Sequence, residues 1–574
     1  MRVKTLAFVL LVSSSCTKVW GTETAAAAIK VDQAGYLPDE NKVALVTATN
    51  VSDGSFLVRR AKDDSVAFRG RLTPAVADKD SGDNVAAADF SVLKETGTFS
   101  VDVPGVGTSW KFAISRDAYA RVFYLALRSY YGQRCGSAVD LGPEFPGLKH
   151  DACHLTGAYD ASSGKQGAHV STHGWHDAGD YGRYVVNSGI STGTLLWTYE
   201  LYRDRVSKVN LHIPESGSGT PDILNEIRWN LEWMLTMQDT DGGVWHKQTS
   251  THFCGFIMPE TDTLTSEVIG TGAEPFKGTC ATADLAAVMA IAARAYKPYD
   301  QAFAKRVLEA AEKAWAWVEA HPDVPFRNPP GVTTGDYGDS HCDDEHFWAA
   351  SELLRTTGKK TYADYFNVHY TQYLGQIRPV GPPSWSNVAA LGLWTYALAG
   401  ATDPAVADAI RKQSVEAATE IAHRTVSDPY RVSLVTSDYI WGSNGVAANY
   451  SMQLLVADRL QHNDAFRQAA LDNLHYLLGR NTFSLSWVTQ VGAHAFQHPH
   501  HRPSAADGVD PPWPGLMSGG PNPGRQDNVM KRMVSADTLP AKAYVDETGA
   551  YACNEVAINW NAPLVFLLAA LLPQ

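Results

Sequence analysis

The chain has 574 residues, of which 45% are hydrophobic and 19% are charged, so it can bury a large core and is long enough for more than one domain. Its formal net charge of -13 and its isoelectric point near 5.8 argue against nucleic acid or an anionic membrane surface as a partner.

The N-terminal residues have the composition of an export signal. A charged start is followed by a short apolar run from Thr5 to Val12 and then by small residues, with a cleavage site after Gly21. These features predict a signal peptide over residues 1–21 and a secreted or periplasmic protein. Cys16, which follows three serines, is an alternative as a lipid-attachment site. No later stretch reaches the roughly 18 uninterrupted apolar residues that a membrane helix needs, so no membrane span is expected.

Residues 29–115 are rich in short runs of β-forming residues. The runs are Val43–Thr47, Ser55–Arg60, Ala88–Val92 and Gly97–Val103, with Gly-, Asp- and Ser-containing turn clusters between them. The pattern predicts a small all-β, immunoglobulin-like sandwich. This segment holds no cluster of catalytic residue types, so we expect it to support the rest of the chain structurally.

From residue 116 to residue 574 the pattern is mainly α-helical. Twelve amphipathic stretches occur at residues 117–131, 185–203, 222–238, 280–297, 300–320, 343–357, 361–376, 387–399, 404–423, 444–461, 464–479 and 553–572. Twelve helices in sequential pairs predict an (α/α)6 barrel, although periodicity alone leaves an irregular bundle open. Three connections are too long to be plain connectors and are expected to carry function: 240–278, 321–342 and 480–552.

Two aspartates lie three residues apart in a glycine-rich loop that leads into a helix. Asp177 and Asp180 belong to the run His-Asp-Ala-Gly-Asp-Tyr-Gly-Arg-Tyr, and its glycines allow both carboxylates to point into one cavity. One carboxylate can then raise the basicity of the other or share a bound water with it. The alternative is a helix-capping aspartate in a solvated loop. The aromatic neighbours Trp175, Tyr181 and Tyr184 favour a site, because solvated loops rarely carry three such residues.

A third carboxylate precedes the last apolar helix. Glu555 follows Asn554 and leads into Val-Ala-Ile-Asn-Trp-Asn-Ala-Pro-Leu. An apolar neighbourhood raises the pKa of a carboxyl group, as a general acid requires. The alternative is a glutamate in the first turn of the helix, where the helix dipole favours a negative charge.

Taken together, these motifs resemble glycoside hydrolase family 9, the cellulase-type β-glycanases. Asp177–Asp180 resembles the aspartate loop of that family, and Asn554-Glu555 resembles its acid motif. The segment Gly492–Arg502 is similar to its His-containing signature, in which His494 departs from the usual residue and predicts an altered subsite contact. Further matching motifs are Val31–Pro38, Met237–Lys247, Asp344–Ala350, Trp441–Asn444, Leu478–Asn481 and Gly519–Gly524.

The resemblance implies an (α/α)6 barrel behind an immunoglobulin-like domain, and hydrolysis of β-linked glycans with inversion at the anomeric carbon. It implies that Asp180 is the general base that activates water, that Asp177 assists it, and that Glu555 is the general acid. Inversion needs the acid and the base roughly 6.5–9.5 Å apart, with room for water between them.

The resemblance also implies a cleft that binds sugars. His500 and Arg502 are expected to bind sugar hydroxyl groups near the cleavage point. Trp441 and Tyr551 are expected to act as stacking platforms, because a flat aromatic face suits a pyranose ring. The expected partner is a β-linked polysaccharide or oligosaccharide, and we expect a monomer without an organic cofactor.

The activity predicted from these features is endo-β-1,4-glucanase action on cellulose or a soluble β-glucan. The alternatives on the same scaffold are an exo-acting cellodextrinase or cellobiohydrolase, or an exo-β-glucosaminidase. A protein of a different class, a non-catalytic carbohydrate-binding protein, would keep an aromatic cleft but would not need three carboxylates in these motifs. Cleft shape decides between endo and exo action.

Two cysteines and two histidines converge before the aspartate loop. Cys135, Cys153, His154 and His173 have the donor types of a tetrahedral zinc site. Four protein ligands leave no open position for a catalytic water, so the predicted zinc is structural. The resemblance agrees, since some sandwich-bearing members of the family hold such a zinc. The alternative is a Cys135–Cys153 disulfide, which an exported protein permits. The spacing of the other cysteines reveals no pairing: Cys254, Cys280, Cys342 and Cys553.

Members of the family also often bind calcium, and two acidic segments offer the oxygen ligands that calcium takes. The candidate ligands are Glu215 and Asp222 in one loop, and Asp344 and Glu345 at the end of the acidic run that begins at Asp339. The alternative for both segments is a solvated acidic loop.

Overall fold

The computed structural model describes residues 25–48, 54–400 and 403–573. The predicted signal peptide over residues 1–21 and the alternative lipid-attachment residue Cys16 lie outside the described residues. Within the described segments, no helix is both long and apolar enough to span a bilayer.

The N-terminal part of the chain is a β-sandwich. Its strands are β1 (Ile29–Lys30), β2 (Val43–Val46), β3 (Ser55–Arg60), β4 (Val66–Arg71), β5 (Val76–Ala77), β6 (Asn84–Asp89), β7 (Gly97–Val103), β8 (Gly107–Thr108) and β9 (Phe112–Ile114). One sheet has the order β1-β2-β6-β5, and the other has the order β4-β3-β7-β8 with β9 paired to β7. Apolar side chains such as Phe56, Val58 and Val101 are fully buried between the sheets, because alternate residues of a strand share a face. The predicted sandwich is confirmed.

The rest of the described chain is dominated by twelve long helices. They are α1 (Ala120–Gly132), α2 (Val185–Val206), α3 (Asp222–Thr236), α4 (Thr279–Tyr296), α5 (Gln301–Ala320), α6 (Asp343–Thr357), α7 (Lys360–Tyr373), α8 (Ala389–Leu398), α9 (Pro404–Ser427), α10 (Ser443–Leu460), α11 (Asp464–Leu477) and α12 (Ile558–Ala569). Helices α2, α4, α6, α8, α10 and α12 contact one another in that order, and α12 closes the ring against α2. The other six helices lie outside this ring, which confirms the predicted (α/α)6 barrel.

The inner and outer helices differ in how much of their surface is buried. Every residue of α4 except Arg294 is buried. In α5, by contrast, the buried residues Phe303, Val307, Ala311 and Ala314 recur at intervals of three or four. An inner helix is packed on all sides, whereas an outer helix buries one stripe and leaves the opposite face in water.

Residues 133–184, between α1 and α2, and residues 237–278, between α3 and α4, form a small mixed sheet that the sequence pattern did not predict. Its strands are β12 (Thr156–Tyr159), β13 (Ala168–Val170), β14 (Arg183–Tyr184), β15 (Lys247–Thr249) and β16 (Ser266–Ile269), in the order β13-β12-β16-β15-β14, and a separate pair is formed by β10 (Val139–Asp140) and β11 (Lys149–His150). Short helices at Arg502–Ala506, Asn528–Met533 and Tyr551–Asn554 complete the connections. Strand β14 follows the aspartate loop directly and pairs Tyr184 with Lys247 of β15, so the sheet fixes the end of that loop.

The sandwich and the barrel share a buried polar interface. Nδ1 of His475 in α11 lies 2.8 Å from Oδ2 of Asp32, and both side chains are fully buried. The backbone N–H of His494 donates to Oε1 of Gln33 over 2.7 Å, and the His494 ring stacks on Trp110 at a centroid distance of 5.2 Å. His494 was predicted to alter a subsite contact; the structure corrects this, because its ring packs against the sandwich.

Candidate active site

The aspartate loop is held at its ends and in its middle by backbone contacts. The N–H of Asp177 donates to the Gly182 carbonyl over 2.9 Å, and the Asp177 carbonyl accepts from the N–H of Ile558, the first residue of α12. A Cβ atom at Gly179 would lie 1.9 Å from the carbonyl oxygen of His500. Only glycine therefore allows the loop to approach the 500–502 segment this closely.

Asp177 is buried and receives two side-chain hydrogen bonds. The Tyr337 hydroxyl donates to its Oδ2 over 2.7 Å, and the Asn187 amide donates to its Oδ1. Burial and the negative charge of Asp180 raise the pKa of Asp177 to about 8, and the two hydrogen bonds offset part of that rise. Asp177 therefore keeps its proton at neutral pH in the absence of substrate.

Asp180 lies three residues further along the same loop and is 7% exposed. Its Oδ2 accepts from the Gly182 N–H over 3.0 Å and from the Tyr184 hydroxyl over 3.2 Å. The rings of Tyr184 and Tyr337 pack together at a centroid distance of 4.8 Å. Each aspartate thus receives a hydrogen bond from one member of a tyrosine pair.

Glu555 lies in a short extended break between the helix Tyr551–Asn554 and α12. It is not a first-turn residue of α12, so the helix-dipole alternative does not describe it. Its carbonyl accepts from the Gly519 N–H over 2.7 Å. Burial, and then the negative charge of Asp180, raise the pKa of the Glu555 carboxyl well above its usual value. A carboxyl group in this environment holds a proton that it can transfer.

The three carboxylates line one cleft with a volume of about 740 Å³. Aromatic side chains form much of its wall: Tyr184, Phe253, Tyr337, Trp385, Trp441, Tyr551 and Trp560. The Trp441 side chain is 39% exposed and lies 5.3 Å from the Tyr551 ring, while Phe253 is 46% exposed. Exposed aromatic faces on a cleft wall offer stacking surfaces for sugar rings.

His500 and Arg502 line the cleft beside the carboxylates, as the predicted sugar contacts require. Nδ1 of His500 lies 2.7 Å from the Thr548 carbonyl; since a carbonyl can only accept, Nδ1 carries the proton. The Arg502 guanidinium donates to the carbonyl of Gly179 over 2.8 Å and to that of Cys254 over 3.0 Å. Arg502 therefore also fixes the aspartate loop.

Comparison with known proteins assigns the family. The model of glycosyl hydrolase family 9 matches residues 119–568, and the model of the cellulase N-terminal ig-like domain matches residues 24–108. This chain belongs to glycosyl hydrolase family 9. It is therefore a glycoside hydrolase, which confirms the predicted enzyme class, and the non-catalytic alternative is set aside.

Relatives of this family 9 hydrolase cover nearly its whole length. Endoglucanase D of Acetivibrio thermocellus is 35% identical over 546 residues, which are 94% of this chain and 83% of the relative. The xyloglucan-specific endo-beta-1,4-glucanase BoGH9A of Bacteroides ovatus is 35% identical over 570 residues, 95% of this chain and 93% of the relative. The crystal structure of a Zn-binding triple mutant of GH family 9 endoglucanase J30 has a TM-score of 0.87 at 36% identity, covering 94% of this chain and 99% of that one.

The hydrolase has a group of two thiols and two imidazoles that can hold a metal ion: Cys135, Cys153, His154 and His176. Sγ of Cys135 lies 3.7 Å from Nδ1 of His154, and Sγ of Cys153 lies 3.8 Å from Nε2 of His176. Zinc bonds of about 2.3 Å to sulfur and about 2.0 Å to nitrogen place tetrahedral neighbours about 3.6 Å apart. The donor set fits zinc, and both cysteines are free thiols rather than a disulfide.

His173 was predicted as the fourth ligand, and the structure corrects it to His176. The His173 ring stacks on Trp229 at 4.2 Å. Both His173 and Gly174 have left-handed backbone conformations, with φ of 70° and 83°, and these reverse the chain between the two histidines. Three residues later the His176 N–H donates to the Gln133 carbonyl over 2.7 Å, which directs the His176 ring to the cysteines.

The predicted calcium ligands Glu215 and Asp222 have protein partners instead. Both carboxylate oxygens of Glu215 accept from the Arg134 guanidinium over 2.9 Å. Oδ2 of Asp222 accepts from the Leu211 N–H over 2.8 Å and from the Ser216 hydroxyl. The same guanidinium also pairs with the buried Glu226 over 2.9 Å, and calcium at Glu215 and Asp222 stays a prediction.

The other predicted calcium ligands lie in a buried acidic cluster. Glu345 is fully buried beside the carboxyl of Asp344, with which its side chain shares a hydrogen bond. Neither carboxylate oxygen of the buried Asp284 of α4 has a hydrogen-bond partner in the described part of the chain. Oδ2 of Asp344 accepts from the Val388 N–H over 2.7 Å. Burial and then the negative charge of Asp344 raise the pKa of Asp284 and of Glu345 well above their usual values. Uncompensated buried carboxylates favour a cation.

One disulfide joins the two helices beside this cluster. Cys280 in the first turn of α4 is bonded to Cys342, the residue that precedes α6. The bond anchors the C-terminal end of the 321–342 connection, which carries Tyr337. The sequence had revealed no pairing for these cysteines.

Sequence reasoning also missed several residues of the site. Asn187, Tyr337, Trp385 and Trp560 contact the aspartates or line the cleft, yet none was a candidate. Two signals pointed towards them: Tyr337 lies in the 321–342 connection, which was expected to carry function, and Trp560 lies in the apolar run that follows the acid motif.

Proposed function

We propose that this hydrolase is an inverting endo-β-1,4-glucanase that acts on cellulose or a soluble β-glucan. The observation that carries the proposal is the convergence of Asp177, Asp180 and Glu555 on one cleft lined by aromatic side chains. Endo action is supported by the names of two relatives with 35% identity, both endo-acting glucanases.

In the proposed mechanism, Asp180 is the general base and Glu555 is the general acid. The raised pKa of Asp177 means that this carboxyl keeps its proton, so the proton from the attacking water goes to Asp180. Asp177 then helps to orient the water. Glu555 protonates the glycosidic oxygen as the bond to the anomeric carbon breaks, and water attacks from the opposite face, which inverts the configuration.

We propose that His500 and Arg502 bind sugar hydroxyls next to the cleavage point. Because Nδ1 of His500 donates a hydrogen bond to the Thr548 carbonyl, the neutral ring presents Nε2 as an acceptor for a hydroxyl group. Trp441 and Tyr551, whose rings lie 5.3 Å apart, are proposed as a stacking platform for the glucan chain.

Endo action makes a prediction about the time course of hydrolysis. On soluble carboxymethyl cellulose, we expect the viscosity to fall several-fold before about one glycosidic bond in a hundred has been cleaved, as counted by new reducing ends. The reason is that internal cuts shorten the chains fastest. The measurement is viscosity against reducing sugar in one reaction. A matched reaction on chitosan separates glucan from glucosamine-polymer preference. Release of cellobiose alone from the first minutes, with viscosity unchanged, would establish the exo alternative.

We propose that the group Cys135, Cys153, His154 and His176 holds a structural zinc. Four protein ligands close the coordination sphere, so a zinc there supplies folding free energy rather than an activated water. His176 immediately precedes Asp177, and the metal would therefore fix the start of the aspartate loop. The carboxylate of Asp262 lies 3.4 Å from Nε2 of His154 and orients that ring.

The corrected ligand assignment makes a prediction that separates two neighbouring histidines. His176→Ala is expected to lose the bound zinc and to lower the Tm by several degrees, because one missing ligand removes much of the metal's contribution to folding. His173→Ala is the matched control and is expected to keep one zinc per chain. Metal analysis and thermal unfolding of the purified variants give the readouts. Zinc loss from the His173 variant alone would restore the original assignment.

We propose a second, cation-binding role for the acidic cluster, with Asp284 added to the predicted calcium ligands Asp344 and Glu345. Carboxylate oxygens without donors suit calcium, which takes oxygen ligands, and the buried position suits a stabilising role. In the same metal analysis, Asp284→Asn is expected to lower bound calcium while leaving zinc unchanged. Equal calcium in both proteins would remove Asp284 from the site.

We also propose that the protein is exported, as its N-terminal residues predict. The Cys280–Cys342 disulfide supports this, because such bonds persist mainly in oxidising compartments. The monomeric state stays a prediction.

A further inference from the structure

A buried lysine lies beside Tyr184, the residue that donates to Asp180, and has no role in the proposed mechanism. Lys247 in β15 is 0% exposed. Its strand pairs with β14, and this pairing places Lys247 opposite Tyr184, whose ring centroid is 5.6 Å from Nζ of Lys247. Burying an ammonium group is costly unless it is well hydrogen-bonded, so its contacts identify what the lysine stabilises.

All of the hydrogen-bond contacts of this ammonium group go to neutral oxygens of one segment, residues 328–335. Nζ lies 2.6 Å from Oδ1 of Asn328, 2.7 Å from the Gly335 carbonyl and 3.3 Å from both the carbonyl and the hydroxyl of Thr334. The segment contains neither helix nor strand. The ammonium group of Lys247 therefore holds this segment by hydrogen bonds in place of those that regular secondary structure would provide.

The segment held by Lys247 is connected to both tyrosines of the site, to Tyr337 through the chain and to Tyr184 through packing. Tyr337 follows Gly335 by two residues and donates to Asp177. Gly335 itself packs on the other tyrosine, since a Cβ atom there would lie 3.3 Å from the Tyr184 ring and hydroxyl. Tyr184 donates to Asp180. Movement of Gly335 would thus disturb the donors of both aspartates.

We propose that Lys247 is a positioning residue for the aspartate pair: it holds residues 334–337 in the place from which Tyr337 and Tyr184 donate to Asp177 and Asp180. The inference rests on the proposed roles of the two aspartates. Lys247 touches neither substrate nor reacting atoms and acts through the two tyrosines.

The choice of lysine has a physical reason. Three N–H donors on one flexible stem can satisfy several carbonyl and hydroxyl oxygens at once, which an apolar side chain of the same length cannot do. Burial lowers the pKa of Lys247 to about 7, and the charges of Asp336 and Asp180 offset part of that effect. The ammonium form is therefore about half of the population at neutral pH and predominates at lower pH.

The test is Lys247→Met, which keeps the length of the side chain and removes its donors. We expect kcat on a soluble β-glucan to fall by about 10- to 100-fold with KM changed by less than about threefold, because substrate contacts persist while transition-state positioning is lost. The ionisation of Asp177 is expected at higher pH in the profile of kcat/KM, since the Tyr337 hydrogen bond lowers the pKa of Asp177.

The matched control is Lys277→Met. Lys277 is 8% exposed and pairs with Asp239 over 2.8 Å, away from the cleft. Its loss is expected to lower the Tm but to leave kcat and the pH profile unchanged. If Lys247→Met behaved in the same way, with a lower Tm and an unshifted profile, Lys247 would be a stabilising residue only and the proposal would fail.

A double-mutant cycle with Tyr337→Phe tests whether Lys247 acts through Tyr337. Substitutions of residues that act as one unit have non-additive effects. The kcat of the double variant is therefore expected to be within about threefold of the kcat of the less active single variant. Multiplicative losses in kcat would contradict the proposed route. Asp180→Asn in the same assay keeps the two proposals distinct: if it retained full activity, the assigned base would be wrong, whatever the Lys247 variants showed.

Discussion

Replacing Glu555 by Gln is expected to lower kcat on an unactivated β-1,4-glucan by about 10³-fold or more while substrate binding persists. Glutamine has the same shape but no proton to transfer to the leaving oxygen. An aryl cellobioside with a good leaving group should lose far less activity, because its phenolate departs without protonation. The two substrates, assayed with wild type and variant, separate a lost acid from a damaged fold.

The pH dependence gives a second measure of the same role. As the proposed acid, Glu555 would act in its protonated form, and its raised pKa keeps that form present well above the usual range of a glutamate. Wild-type activity is therefore expected to fall as the pH rises through the pKa of Glu555. In Glu555→Gln the contribution of Glu555 to that basic limb should disappear from the residual aryl cellobioside activity, which leaves the ionisation of Asp177 near pH 8 as the remaining basic limb. Near-wild-type turnover of glucan by the variant would show that another residue is the acid.

Replacing Asp180 by Ala is expected to abolish hydrolysis of glucan and of activated aryl glycosides alike. A good leaving group removes the need for the acid but not the need to deprotonate water. Asp177→Asn is the matched comparison from the same loop, and it is expected to keep measurable residual activity because Asp177 assists rather than accepts the proton. Equal loss from both variants would leave the two roles unseparated and contradict this assignment.

Azide and product configuration complete the test of the base. Azide is an anionic nucleophile that needs no deprotonation, so it is expected to restore activity to Asp180→Ala and to give an α-configured glycosyl azide. Proton NMR of early wild-type product from a β-linked substrate should show the α anomer, as inversion requires. Initial release of the β anomer would exclude the inverting mechanism.

The helices of the barrel could be predicted from sequence because their signals are local. Helix α6 was predicted at residues 343–357 and has those bounds: three acidic residues in its first turn suit the helix dipole, and Gly358 ends it with a φ of 66°. Helix α12 was predicted at 553–572 but begins only at Ile558. The residues before it are bound to other segments, and Glu555 forms a bridge with His500, which periodicity along the chain cannot reveal.

The site was predictable as far as its motifs extend. The aspartates and Glu555 belong to dense runs of glycine, aromatic and acidic residues, whereas Tyr337 and Lys247 contribute through contacts with residues 160 and 63 positions away in sequence. His176 was missed for a different reason. It and His173 have the same chemistry and similar spacing to Cys153, and only the left-handed backbone at His173 and Gly174 decides which ring faces the thiols.

The closed ring of inner helices has a consequence for when activity can first arise during synthesis. Asp177 and Asp180 lie before α2, while Glu555 precedes α12, the helix that closes the ring against α2. Domains fold as the ribosome releases them, N-terminal parts first, and pairing residues so far apart is slow. A chain made only as far as residue 554 would hold the proposed base Asp180 but not the proposed acid Glu555. We therefore expect hydrolysis to begin only after the segment from Glu555 to α12 has been added and the ring has closed.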